Sequence, residues 1–272
     1  HDALPIYLTQ FFSLTHEHGY RVIGGKPFIL NARDYGVPQN RRRAFILAVR
    51  SDIDTSGFVW PPEPTHTKTG KQEWVTSSCV FERPPDSTLI EFRERLVEKF
   101  NMSIELAENR LKQLQWGSPI PKEDPCNVHM EHSAEMQLLF KNTPLLGDRT
   151  ESGRQLACHK NYSGHLDVYG RIYPHLPSNT ITTGCNNPSK GRFVHPWLHH
   201  GITLRHAARL QTFPDDYIFH GGTMAIAKQI GNAVPVKLGE ALLKSIINLL
   251  SIQKIEVDSA KCGYIDYDKE CI

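Results

Sequence analysis

The apolar and polar positions of the first fifty residues predict one helix followed by strands. Residues 3–18 carry apolar side chains at near-helical spacing, and Gly19 follows as a helix stop. Residues 20–30 indicate a strand interrupted at Gly24-Gly25, and the apolar run 44–50 predicts a buried strand. The pattern therefore predicts helix, strand, loop and strand in that order.

Beyond residue 60 the pattern weakens. The Pro-rich stretch 60–64 breaks regular structure and predicts a boundary. Residues 89–115 contain two amphipathic segments, which predict two short helices. Residues 116–195 are rich in Gly, Pro, Asn and His and show little periodicity, so they predict a loop-rich region.

Helical patterning returns near the carboxyl end. Thr203 can cap a helix whose apolar face starts at Leu204 and includes Gln211 at the i+7 position. Pro235 suits the first turn of a last helix, which has apolar residues at helical spacing as far as Leu249.

These patterns predict an α/β chain whose larger domain is split by an insert. Residues 1–60 and 196–250 are expected to pack together, with residues 61–195 forming a small α+β domain between them. Residues 251–272 are expected to be a polar tail.

The net charge is only +2, but its distribution is uneven. Residues 1–50 hold seven Lys or Arg against three Asp or Glu, and residues 149–210 hold eight against two. If these segments meet in space they form a phosphate-binding surface, and otherwise they are ordinary solvated faces. Charge alone leaves both interpretations open.

Cysteine usage and hydropathy narrow the class of protein. Six scattered cysteines without CxxC spacing favour a reducing compartment, and we therefore expect a cytoplasmic protein. There is no apolar run of about 18 residues to predict a membrane span, and no signal peptide pattern occurs. The chain begins with His1 rather than Met, which we interpret as a fragment or a processed product.

Three sequence blocks resemble, in order, the last conserved motifs of the DNA cytosine-5 methyltransferases. The blocks are residues 31–43 with the pattern Gln39-x-Arg41-x-Arg43, residues 203–214, and residues 229–235. Residues 167–171 and 179–183 also look like the end of that family's target recognition domain.

This resemblance implies both a fold and a chemistry. The fold is the C-terminal half of a Rossmann-like, S-adenosylmethionine-dependent α/β methyltransferase domain, with residues 61–195 as an inserted target recognition domain. The chemistry is transfer of a methyl group from S-adenosylmethionine to C5 of a cytosine flipped out of double-stranded DNA. A restriction-modification system is one biological context for such an enzyme.

The first block places two arginines at alternating positions. Arg41 and Arg43 are expected on one side of a strand, where two guanidinium groups need an anion or other acceptors between them. The resemblance implies that both are catalytic, with Arg43 bonding the cytosine O2 and Arg41 holding the site. It also implies DNA contacts by Gln39 and Arg41. Taken alone, the motif is also compatible with a basic surface turn.

Other residues that match the family imply further DNA contacts. Thr180 matches a position that contacts the DNA backbone, although threonine is also a common strand residue. Arg205 and Arg209 lie four residues apart on one helix and need acidic groups opposite them. Those groups are either DNA phosphates or the carboxylates of a structural ion-pair network. His206 stands where the family usually has a glutamate, which removes an internal partner for an arginine.

The third block implies a cofactor wall. Gly231 lets another group approach the backbone, and Asn232 offers a hydrogen-bond donor and an acceptor. In the resembled family this segment lines the S-adenosylmethionine pocket, which implies that Asn232 and Val234 bind the cofactor. The alternative is a simple helix cap ahead of Pro235.

The nucleophile of the resembled family has no counterpart in this chain. The family uses a cysteine in Pro-Cys-Gln, a glutamate in Glu-Asn-Val and a Gly-rich cofactor loop, and all three precede the first block. None of them occurs in the 272 residues. We therefore expect the chain to be inactive alone and to need an N-terminal half, from the same gene or as a separate subunit. The alternative is a non-catalytic DNA-binding or regulatory protein of the same fold.

Two sequence features resemble a nucleophilic cysteine and a zinc site, but neither site is predicted. Pro125-Cys126 lies in the insert and continues with Asn127, so Cys126 is not expected to be a nucleophile. Several residues suggest zinc by type, but their irregular spacing predicts no metal site. These residues are Cys126, His129, His132, Cys158 and His159.

Overall fold

The computed structural model describes residues 3–70, 72–152 and 167–252. The predicted tail from residue 253 onward lies outside the described residues, as do Cys158 and His159. Within the described ranges the chain forms seven α-helices and four short β-strands. No helix in those ranges is long and apolar enough to cross a lipid bilayer.

The helices and strands have the following bounds. The helices are α1 (Ala3–Glu17), α2 (Asp86–Phe100), α3 (Ile104–Lys112), α4 (Ala134–Asn142), α5 (Leu204–Leu210), α6 (Thr223–Asn232) and α7 (Val236–Ile252). The strands are β1 (Tyr20–Val22), β2 (Phe28–Asn31), β3 (Arg42–Phe45) and β4 (Ala48–Arg50). Strand β1 pairs antiparallel with β4, and β2 pairs antiparallel with β3. The described strands therefore form two-stranded antiparallel ladders, and the parallel sheet of a Rossmann-like domain is not seen among them.

The predicted order of the first fifty residues is confirmed, but the predicted burial is not. Helix α1 ends before Gly19, whose φ of 76° suits a glycine stop. The predicted strand 44–50 is two strands, β3 and β4, and Val49 is its one buried residue. The prediction of a buried strand was wrong because an apolar run is buried only where other layers cover both faces of the strand.

Most helix predictions for the rest of the chain are confirmed. Helices α2 and α3 fall in the region where two short helices were expected, and α7 is the predicted last helix. The Thr203 side chain caps α5 by accepting a hydrogen bond from the backbone N–H of His206. Helices α4 and α6 were not predicted. Helix α4 lies in the stretch 116–195, whose Gly, Pro, Asn and His content predicted loops, and α6 begins after Gly222 and ends at Asn232, residue types that favour turns.

Two compact units divide the chain differently from the predicted domains. One consists of His1–Pro27, Ile46–Pro62 and Leu242–Ile272, and the other of Phe28–Phe45 and Glu63–Ala241. In the second unit, Phe81 and Ile181 of the predicted insert share one hydrophobic core with Leu210 and Ile230. Because residues on both sides of position 196 share this core, the compact units show no domain boundary at residue 196. The functional division of the chain stays a prediction.

Candidate functional site

Gln39 lies at the centre of a buried polar network. Its side chain is 0% exposed. The amide nitrogen donates to the backbone oxygen of Leu210 and to Gln211 Oε1, both at 3.1 Å. The amide oxygen accepts from the backbone N–H of Ile181 at 2.9 Å. Both polar atoms of the Gln39 side chain therefore bond other parts of the protein. Gln39 is placed to organise the site, and this geometry does not support the predicted DNA contact.

Arg41 joins two distant segments through its guanidinium group. Nη1 donates to the backbone oxygen of Ile181 and Nη2 to that of Gly231, each at 2.7 Å. The side chain is 2% exposed, and burial together with the nearby charge of Arg43 lowers the pKa of Arg41 to about 10. A guanidinium at that pKa is still charged at neutral pH. Arg41 therefore brings a fixed positive charge to the junction of the first and third sequence blocks.

Gly231 makes the tightest backbone approach at this junction. A Cβ atom at this position would lie 2.3 Å from the Thr183 nitrogen and 2.4 Å from the Thr182 carbonyl carbon. Real Cβ contacts do not come this close, so only glycine allows α6 to end against this segment. The next residue, Asn232, is exposed, and Val234 is 47% exposed.

Arg43 and Thr180 lie at the accessible side of the same region. Arg43 is exposed on β3, opposite Leu30 of β2, and its guanidinium donates to the backbone oxygen of Arg42 at 2.8 Å. Among the described residues no carboxylate pairs with Arg43. Thr180 Oγ1 donates to the Asn40 backbone oxygen at 2.8 Å, which fixes the hydroxyl with its lone pairs still able to accept.

Arg205 and Arg209 are paired with carboxylates, as the structural interpretation of these residues expected. Arg205 Nε lies 2.5 Å from Asp124 Oδ2, and the two side chains are 3% and 7% exposed. Arg209 Nη2 lies 2.7 Å from Asp215 Oδ2, and Nη1 donates to the Ser118 backbone oxygen at 2.8 Å. These partners are the carboxylates of a structural ion-pair network. The predicted DNA contacts of both arginines are not supported by this geometry.

His206 takes over an acceptor role at the start of α5. Its Nδ1 accepts from the backbone N–H of Thr203 at 3.2 Å and completes a capping box. Burial and the charge of Arg209 lower the pKa of His206 to about 3, so the ring is neutral at physiological pH. A neutral imidazole with a bare Nδ1 can supply the acceptor that a glutamate supplies elsewhere.

The Cys126 thiol and the nearby histidines show no metal or nucleophile geometry. Cys126 is 1% exposed, and burial raises the pKa of its thiol, so the reactive thiolate is disfavoured. In the part of the chain that the structure describes, no three His, Cys, Asp or Glu residues are arranged to hold a metal ion. The His129 ring instead stacks on the His200 ring, with centroids 4.1 Å apart.

Gln211 is a buried polar residue that was not predicted to belong to the site. Its side chain is 0% exposed and donates to the Ile230 backbone oxygen at 2.7 Å. The signal was present, because Gln211 occupies the i+7 position of an otherwise apolar helix face. A polar side chain on such a face is buried and needs partners.

A comparison with known protein families agrees with the resemblance of the three sequence blocks. The model of the C-5 cytosine-specific DNA methylases matches residues 6–248. This chain belongs to that family. Curated relatives include Type II methyltransferase M.BbvI of Brevibacillus brevis, which is 29% identical over 235 residues, or 85% of this chain and 50% of the relative. Type II methyltransferase M.NgoFVII of Neisseria gonorrhoeae is 30% identical over 236 residues, or 85% and 51%.

Another relative matches a shorter stretch of this chain at a higher sequence identity. Type II methylase M.HgiDII of Herpetosiphon aurantiacus is 48% identical over 99 residues, which are 34% of this chain and 28% of the relative. The chain spans about half the length of M.BbvI and M.NgoFVII.

A solved structure supports the fold of this methylase chain. A crystal structure described as a DNA modification methyltransferase encoded within an E. coli prophage aligns with a TM-score of 0.53 and 21% identity. The alignment covers 92% of this chain and 66% of that one. The likeness shows a mixed α/β methyltransferase fold.

Proposed function

We propose that this chain is the C-terminal part of a DNA cytosine-5 methyltransferase that methylates C5 of a cytosine flipped out of double-stranded DNA. The observation that carries the proposal is the pair of bonds from Arg41 to Ile181 and Gly231, each 2.7 Å long. They join the arginine motif that is predicted to bind the cytosine to the segment that is predicted to line the S-adenosylmethionine pocket. The family membership and the names of the type II relatives support the same chemistry and a restriction-modification context.

The exposed Arg43 is the residue proposed to contact the cytosine. It has a guanidinium group that no described carboxylate neutralises, next to the buried charge of Arg41. An exposed guanidinium without a carboxylate partner favours an electron-rich group such as the cytosine O2. Arg41, whose two terminal nitrogens already bond backbone oxygens, orients this region. Thr180 is proposed to donate a hydrogen bond to a DNA phosphate, in place of its bond to the Asn40 backbone oxygen.

The residues of the third block fit part of an S-adenosylmethionine pocket. Asn232 has an exposed amide for which the described residues provide no partner, and Val234 offers exposed apolar surface beside it. An amide and an apolar face suit a ligand with polar ring edges and an apolar body. When bound, S-adenosylmethionine supplies the methyl group. Asn232 and Val234 would hold it from one side.

The remaining chemistry requires an N-terminal half. The 272 residues contain no Pro-Cys-Gln, no Glu-Asn-Val and no Gly-rich cofactor loop. The described strands form only two-stranded ladders, whose edges can accept further strands. We propose that the N-terminal half supplies the parallel sheet and the nucleophile, while this chain supplies the target recognition domain.

Complementation tests this proposal directly. The chain is expressed alone, with an N-terminal half that carries the three absent motifs, and as the complete reading frame. Cytosine methylation is then measured by bisulfite sequencing of host DNA. We expect none from the chain alone and methylation at one recurrent sequence in the other two cases. Methylation by the chain alone contradicts the division of labour, and DNA binding without complementation favours the regulatory alternative.

A further inference from the structure

Gln211 holds both ends of one short segment. Its side-chain nitrogen donates to the Ile230 backbone oxygen at 2.7 Å. Its own backbone oxygen accepts from the Val236 backbone N–H at 3.1 Å, at the first residue of α7. Five residues, 231–235, lie between these anchors. One buried residue therefore fixes where α6 ends and where α7 begins.

The segment between the anchors is exposed at its middle and buried at its edges. Asn232 and Val234 are exposed, whereas Gly231 and Pro235 are buried. The Gly231 backbone is pressed against Thr182 and Thr183, and its oxygen accepts from Arg41. The two exposed side chains are consequently presented from a backbone that is held from several directions.

The Gln211 side chain also connects this segment to the first sequence block. Its Oε1 accepts from Gln39 Nε2 at 3.1 Å, and Gln39 in turn accepts from the Ile181 backbone N–H. The path from the arginine motif to the segment thus runs through two amides. Both amides are 0% exposed, and every link is a hydrogen bond of ordinary length.

We propose that Gln211 is a positioning residue that sets the cofactor wall, Asn232 and Val234, in register with the arginine motif. This inference rests on the proposed function, since it assigns the purpose of a residue that touches neither ligand. The role needs an amide. The nitrogen must donate to Ile230 while the oxygen accepts from Gln39, and neither a carboxylate nor a thioether can do both.

The test uses the complete methyltransferase and two substitutions. Gln211→Met removes both hydrogen bonds with little change in volume, and Gln211→Glu keeps the acceptor but turns an oxygen toward the Ile230 oxygen. The dissociation constants of S-adenosylmethionine and of a cytosine-containing duplex are measured separately by calorimetry and fluorescence anisotropy. Steady-state KM and kcat are measured alongside them.

The expected result is selective loss of cofactor binding. Gln211→Met leaves the buried Ile230 oxygen with only the longer bond of 3.3 Å from the Ala233 N–H. This loss should weaken S-adenosylmethionine binding about tenfold in Gln211→Met, and at least as much in Gln211→Glu. Duplex affinity without cofactor should stay within about twofold, because the groups proposed to meet DNA are retained. Gln137→Met is the matched control. Gln137 donates to the His132 backbone oxygen at 3.0 Å on an exposed surface, so its loss should change neither constant.

A double substitution examines the connection to the first block. Gln39→Met and Gln211→Met share one hydrogen bond, so their combined effect on cofactor affinity should be smaller than the product of the single effects. Effects that multiply would show that the two amides act independently, against the proposal.

Three results would overturn the role of Gln211. The first is unchanged cofactor affinity in both variants, and the second is an equal loss of cofactor and DNA affinity. The third is failure of both variants to fold, which would make Gln211 a residue of the fold alone. In each case a wild-type enzyme that binds cofactor and methylates DNA leaves the proposed function intact. A wild type that binds no S-adenosylmethionine removes both.

Discussion

Arg205 and Asp124 form a buried ion pair between α5 and the loop before Cys126. Arg205 Nε and Nη2 lie 2.5 and 3.1 Å from the two Asp124 oxygens. The Arg205 guanidinium also donates to the backbone oxygens of Pro214 and Tyr217, both at 3.3 Å. The hydrogen-bond donors of Arg205 are therefore used within the protein. We expect the loss of either partner of the pair to change the stability of the fold.

Removing one partner of this pair should destabilise the protein strongly. Asp124→Ala leaves the Arg205 charge buried without a counter-ion, and such a loss typically costs about 3–5 kcal/mol. Urea unfolding followed by circular dichroism measures the effect. Asp216→Ala, at an exposed carboxylate outside the ion pair, should stay within about 0.5 kcal/mol of wild type. If both variants unfold alike, the pair contributes nothing specific.

Replacing His175 should stabilise the protein. This imidazole is 2% exposed, neither ring nitrogen has a hydrogen-bond partner among the described residues, and the Phe100 and Tyr173 rings pack against it. A buried polar group without partners costs about 1–3 kcal/mol. We therefore expect His175→Phe or His175→Leu to raise the urea midpoint. A lower midpoint in both would mean that the imidazole has a favourable role.

The same residue predicts a pH dependence of stability. Burial, with the charge of Arg110, lowers the pKa of His175 from 6.5 to about 3. Between these values the unfolded chain binds one more proton than the folded chain at this site, so stability falls as the pH decreases through this window. His175→Phe should therefore reduce the slope of unfolding free energy against pH by about 1.4 kcal/mol per pH unit. His220→Gln, at an exposed histidine, is the control variant, and the change expected for His175→Phe is measured against it.

Two glycine-to-alanine substitutions should have opposite effects. In Gly231→Ala the new Cβ would meet the Thr183 nitrogen at 2.3 Å, so the backbone must move, at a cost of about 1–3 kcal/mol. Gly239, inside α7, has no atom within 4 Å of its would-be Cβ, and alanine there should stabilise by about 0.5–1 kcal/mol. Thermal unfolding of both variants tests the pair. Equal melting temperatures would contradict the close approach at Gly231.

Arg43 and Arg42 provide a matched pair for the proposed chemistry. Both are exposed on β3, and neither has a described carboxylate partner. In the complete methyltransferase, Arg43→Ala should lower kcat about 100-fold with an unchanged melting temperature, because the charge proposed to face the reacting base is lost. Arg42→Ala should keep kcat within about threefold. Equal losses would assign the effect to general basic charge instead of a cytosine contact.

Sequence by itself determined the elements whose causes are local, and it determined the family. The stop at Gly19, the Thr203 cap and the apolar period of α7 each act within a few residues, so they can be read directly from the chain. Three ordered blocks were enough to indicate the methylase family that the family model then showed. Helices α4 and α6 were not predicted because residue types that favour turns lie close to them.

Only the tertiary structure decided which charged and polar groups remain available. Sequence does not distinguish the polar residues Gln39, Arg41 and Arg205 from an exposed one such as Arg43. The structure nevertheless buries these three against partners far along the chain. Arg41 bonds Ile181 across 140 residues, and Arg205 pairs with Asp124 across 81. The physical reason is that a guanidinium or amide takes whichever acceptors folding brings beside it, and sequence spacing does not specify contacts at that range. Arg43 remains exposed on β3, and no described carboxylate is brought to it.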